Sequence, residues 1–124
     1  MSRIRDLMGT GNSAGSAKAI AGTYGTLAAA GTSSQANSTM ASYETNYVTV
    51  GGATANGVVL PTSAQGSQPG DSCTIFNLSS TACLVYPGGS ETANGSTSAI
   101  SVAQNKMLIL KRVVSTGWGY IVTA

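Results

Sequence analysis

Two cysteines, Cys73 and Cys83, and four carboxylates, Asp6, Glu44, Asp71 and Glu91, are the side chains here with the most reactive potential, and the chain contains no histidine. Histidine is the commonest general base, and a pair of carboxylates is its usual substitute. The four acids are isolated in sequence, so only the fold could pair them. Serine is abundant, but no base stands near to activate it. Metal ligation by Cys and His needs a cluster that two cysteines do not make within one chain. The stretch Gly88–Gly95, GGSETANG, has the glycines of a phosphate-cradling loop. It lacks the Gly-Lys-Ser/Thr ending and a following helix. The expectation is a protein that is not an enzyme, with no cofactor, no metal and no small-molecule substrate.

The cysteines sit at either end of CTIFNLSSTAC. If residues 73–77 and 81–86 pair as a hairpin with Ile75 opposite Cys83, Cys73 lies diagonal to Cys83. Diagonal Cα atoms are about 7–8 Å apart, too far for an easy disulfide. A shift of two residues would bring the thiols opposite each other across a longer loop. Two buried thiols, packed as small hydrophobes, are favoured over a disulfide. A catalytic thiol would have no histidine to lower its pKa.

The elements that must hold these residues are strands. From Tyr47 onward YVTV, GVVLP, CTIFN, ACLVYP, AISVA, KMLILKRVV and WGYIVTA alternate with turn-forming Gly, Pro, Asn and Ser. Short β-branched and aromatic runs at regular spacing predict an all-β fold, a small antiparallel β-sandwich or barrel. Thr54–Gly57 and Thr92–Gly95 both read TANG, and Asn-Gly suits a tight turn. Leu60–Asp71, with two prolines and two glycines, reads as a loop. Met107, Ile109 and Val113 fall on one face of a strand, with Leu108 and Leu110 on the other, which predicts cover on both sides. Trp118, Tyr120 and Val122 alternate similarly. Trp118 reads as a core or interface plug, with a sugar platform of Trp118, Tyr120 and Tyr86 as the ligand-binding alternative.

Residues 1–45 have a different composition, dominated by Gly, Ser, Thr and Ala with scattered apolar residues. We expect an extended N-terminal arm over 1–45 that orders on a neighbour, followed by a compact antiparallel β domain over 46–124. The candidate partner contacts are Arg3, Arg5, Ile20, Tyr24, Leu27 and Trp118. Arg3 and Arg5 read either as a solvated tail or as a small basic patch for an acidic partner.

Composition narrows the class further. The chain of 124 residues is one domain's worth. Only 8% of its residues are charged, against about 25% in ordinary soluble domains. Such a surface risks association when free, so we expect it to be covered by copies of itself or by a partner. A net charge of +2, without a basic stripe, argues against nucleic acid. No apolar run follows the basic start as in a signal peptide, and none reaches the about 18 residues of a membrane span. The expectation is assembly in a cytoplasm, where thiols stay reduced and the triplets at Asn37, Asn77 and Asn94 are not glycosylated.

From Leu27 onward the order of features resembles a domain common in tailed-bacteriophage virion proteins. The residues that carry the likeness are LAAAGTSSQANSTMAS, NYVTV, GVVLPTSAQG, CTIFNLSSTACLVYP, GGSETANG, AISVAQNKMLILKRV and GWGYIVTA. VLPT, VYP and the terminal Trp-x-Tyr are its firmest points. The resemblance implies a structural role without an active site. With no shaft or receptor-binding extension, it implies a capsid decoration (cement) protein, a homotrimer on the major capsid protein at the virion surface. A tail or head fibre component or tail adaptor, with or without glycan binding, is the alternative.

Overall fold

The computed structural model describes residues 23–124. Arg3, Arg5 and Ile20 lie outside the described residues. Ten strands make up most of the regular secondary structure of the described residues: β1 (Tyr24–Ala28), β2 (Thr39–Met40), β3 (Thr45–Val50), β4 (Gly57–Val59), β5 (Ser72–Asn77), β6 (Cys83–Tyr86), β7 (Thr92–Ala93), β8 (Ile100–Val102), β9 (Met107–Val114) and β10 (Gly117–Val122). The all-β expectation holds. Successive strands from β1 to β9 alternate between a six-stranded sheet, ordered β1-β3-β5-β9-β10-β7, and a four-stranded sheet, ordered β2-β4-β6-β8.

The strands do not form the antiparallel sandwich or barrel predicted above. β1, β3 and β5 run parallel, as do β2, β4 and β6. The first six strands are thus stacked turns of a short coil of the β-solenoid kind. Parallel neighbours cannot be joined by a tight hairpin, and here the opposite sheet supplies each crossover. Antiparallel pairing enters only afterwards, where β8 returns along β6 and β9 along β5, and β10 folds back on β9.

The physical reason shows at Asn77. The expected hairpin between Cys73 and Tyr86 is an arch that carries the chain from one sheet to the other. Asn77 is fully buried. Its side-chain amide donates to the carbonyls of Thr81 (2.9 Å) and Val102 (2.8 Å). Its Oδ1 accepts from the Ser79 N–H and hydroxyl. An asparagine that bonds the backbone of its own turn supports the arch, and the period-2 pattern of the flanking strands is the same as in a hairpin.

The described part of the expected arm is not free to dress a neighbour. Residues 24–28 pair with β3 and residues 39–40 with β4, and Leu27, Ala29 and Ala41 join the core. That core lies between the sheets, with Val48, Ile75, Leu108 and Leu110 from one and Val58, Cys83, Val85 and Val102 from the other. Parallel coil turns bury side chains as small as alanine, so a Gly/Ser/Ala-rich segment can close the first turn.

Cys73 and Cys83 are both buried free thiols, and they belong to different sheets. β9 departs from expectation on one face. Leu108, Leu110 and Arg112 point inward and are buried, whereas Ile109 is 40% and Val113 60% exposed. Among the described residues nothing covers that outer face.

Candidate functional site

Two features stand out: the outer face of the six-stranded sheet, and a cleft at its border. The face is built by strand register. One cross-strand row runs Tyr24, Thr45, Thr74, Ile109, Ile121, and its neighbour runs Thr26, Tyr47, Phe76, Met107. Alternation places these side chains opposite the core. Tyr24 is 66% and Ile121 64% exposed. Lys111 is the one charged side chain that the register puts on this face among the described residues. Gly119, opposite Lys111, leaves a shallow apolar groove of about 390 Å³ beside Ile109, Val113 and Ile121.

The cleft, about 410 Å³, lies between the β2–β3 connection and the β4–β5 loop, and Trp118 contributes to its lining. Each wall is pinned by a buried polar side chain. Asn46, fully buried, accepts from the Tyr43 N–H (3.1 Å) and donates to the carbonyls of Tyr43 (2.7 Å) and Thr74 (3.2 Å). The Tyr43 ring lies against Gly25, where an added Cβ would come within 2.4 Å of it. The ring position therefore depends on that glycine.

Arg112 pins the other wall. It is 1% exposed and donates to the Ser67 hydroxyl (2.7 Å), the Pro61 carbonyl (2.9 Å), the Ser115 carbonyl (3.0 Å) and Glu91 (2.8 Å). Glu91 Oε2 accepts from the Ser63 N–H at 2.9 Å. The guanidinium carbon sits 4.8 Å from the centre of the Trp118 ring, a cation–π contact. Burial pushes the Glu91 carboxyl up, but the Ser63 N–H and the Arg112 guanidinium outweigh it and hold it below its ordinary range. Trp118 itself is 2% exposed. Its Nε1–H is buried without a hydrogen-bond acceptor among the described residues. A buried donor left unpaired costs about 1–3 kcal/mol.

Burial keeps both thiols protonated. Burial raises Cys73 to about 12, the Asn46 hydrogen bond opposing and Glu44 reinforcing it. Burial alone raises Cys83 to about 11. Among the described residues no group of three or more metal-ligating side chains assembles.

Of the candidate partner contacts within the described residues, Tyr24 is on the open face, whereas Leu27 and Trp118 lie in the chain's own core. Apolar residues at inward parity serve the nearest core first. The Trp118–Tyr120–Tyr86 platform does not form, because Tyr86 belongs to the four-stranded sheet and Trp118 is buried. Sequence reasoning missed the Arg112–Glu91 pair and the cleft it supports. The signal was present: Arg112 shares the parity of Leu108 and Leu110, and a buried arginine requires an acid. No family model, no curated protein and no solved structure matches this chain.

Proposed function

We propose that this protein is a structural assembly module that works by covering other protein surfaces, as a capsid decoration (cement) protein of a tailed bacteriophage. The observation that carries the reading is the outer face of the six-stranded sheet: two cross-strand rows of Tyr, Thr, Phe, Met and Ile, over five strands and four, beside a single charge at Lys111, uncovered among the described residues. Strands spaced about 4.8 Å apart make such a face roughly 24 Å wide. A face that size buries less than the about 800 Å² per partner of a standard interface. Useful affinity then comes from several copies binding together, which fits a homotrimer seated across major capsid subunits. Binding only the expanded shell geometry would stabilise the shell by mass action. The resemblance in strand and turn order supplies the virion context.

The coil favours a second reading. Its first turn, β1 and β2, ends both sheets, and open coil ends can stack. A fibre or tail-adaptor component would use that end. Two measurements separate the readings. Solution mass of the full chain tests self-association, with a trimer expected for the wild type and for Ile109→Glu/Ile121→Glu alike, because the altered face is the one kept for the shell. Antibody labelling of virions from the source should decorate heads. Label on tails selects the second reading, and a stable monomer absent from virions refutes both.

A further inference from the structure

We infer that the groove over Gly119 is a socket for one apolar side chain of a partner protein, with a carboxylate of that partner seated beside it on Lys111. The inference rests on the reading that the six-stranded face covers a protein surface, and it names what that surface presents. Gly119 is not explained by its own chain. It lies inside β10, where a glycine adds no packing and loses the most backbone freedom on folding. Its φ lies outside the left-handed region, and an added Cβ would meet Val113 Cγ1 at 3.4 Å with nothing nearer, an ordinary contact. Gly57 and Gly88 differ, because a Cβ there would come within 2.8 Å and 2.6 Å of backbone oxygens. A strand glycine that its own fold does not require marks a place where something else approaches closely.

The surroundings say what approaches. Ile109, Val113 and Ile121 give the groove of about 390 Å³ an apolar lining. Register sets Ser72, Lys111 and Gly119 in one cross-strand row, so both row neighbours of Lys111 are small. Among the described residues the ion pair is Arg112 with Glu91, which leaves Lys111 without an acid, and no carboxylate lines the groove. Such a socket attracts an anionic group beside an apolar one and repels a cation. One lysine does not hold an anionic membrane, which takes a cluster of basic residues, and nucleic acid takes a basic stripe. A protein surface with an apolar side chain next to Asp or Glu fits both halves.

Two fluorescent probes test the socket on the full-length protein. Anilinonaphthalene sulfonate joins apolar rings to one anionic group, as the partner does, and phenylnaphthylamine is its uncharged counterpart. Both should bind the native protein saturably. Gly119→Val fills the groove with a residue suited to a strand. It should melt no lower than the wild type and bind both probes about tenfold more weakly, the loss of roughly 60 Å² of apolar contact. Lys111→Gln should weaken the sulfonate about two- to fivefold, as an exposed charge contact does, and leave the uncharged probe unchanged. Failure of both probes to bind overturns the inference, and so does undiminished binding by Gly119→Val. A marked fall in the melting of Gly119→Val also overturns it, since the fold itself then needs the glycine. So does a sulfonate affinity that Lys111→Gln leaves unchanged, or sedimentation with phosphatidylglycerol vesicles that Lys111→Gln abolishes. Antibody-labelled heads from a protein that binds neither probe remove this inference and keep the covering reading. Bound probes with unlabelled virions keep the socket and remove the shell as its partner.

Discussion

Glu91→Gln tests the frame on which the cleft stands. The substitution keeps the shape of the side chain but removes the charge that faces Arg112 across 2.8 Å. The Arg112 side chain is 0% exposed and that of Glu91 8%, so water cannot replace the lost partner. Breaking one side of a buried pair costs about 3–5 kcal/mol, because an uncompensated charge stays behind. At roughly 4 °C or more per kcal/mol for a domain of this size, melting should fall by about 12 °C or more. Arg112→Met alone should be comparably damaging, since it strands Glu91 and the carbonyls of Pro61 and Ser115. The double variant should recover the charge penalty but not those two carbonyls, so its loss is smaller than the sum of the singles. The assay is thermal and urea unfolding of all four proteins followed by circular dichroism. The pH dependence carries the same logic. Glu91 is held below its ordinary 4.5, so its stabilisation is present above that value and is lost as pH falls through the folded pKa. Wild type and Glu91→Gln should therefore converge in acid. Additive singles, each within about 1 kcal/mol of wild type, would refute the reasoning, since that is what an exposed pair gives.

Further outcomes follow from other parts of the structure. Asn77→Ala should cost about 1–3 kcal/mol in urea unfolding, because the Thr81 carbonyl of the arch and the Val102 carbonyl of β8 each lose a donor. Gly25→Ala should displace the Tyr43 ring, whose atoms lie 2.4 Å from the added Cβ; the change would be read as altered tyrosine near-ultraviolet dichroism. Neither thiol should react with a thiol reagent at pH 8 in the native protein, and both should react once it is unfolded. Their raised folded values, about 12 and about 11 against an ordinary 9.0, mean that stability present below pH 9 is lost as pH rises through that window, which an alkaline unfolding series would follow.

Residue types and local patterning marked most strands from β3 onward, but not β1 and β2, which lie in the stretch read as an arm. Alternation marked Leu108 and Leu110 as one face of β9 whatever lay opposite. The absence of histidine and the spacing of the acids were equally plain. The turn residues were less decisive: of the two TANG copies, Asn94 and Gly95 adopt positive φ and close a tight turn between Ala93 and Ser96, whereas Gly57 enters a strand. Tertiary structure alone decided whether each turn folded the chain back in its own sheet or across to the other. A period of two residues is common to hairpin and arch, so Cys73–Asn77 and Cys83–Tyr86 read alike in either fold. Pairing of β1 with β3 and burial of Leu27 depended on a coil that forms only when its turns stack. The meeting of Arg112 with Glu91, Asn46 with Thr74, and both walls with Trp118 came from residues tens of positions apart. No local preference encodes such proximity, because it is created by the closing of the two sheets over a shared core.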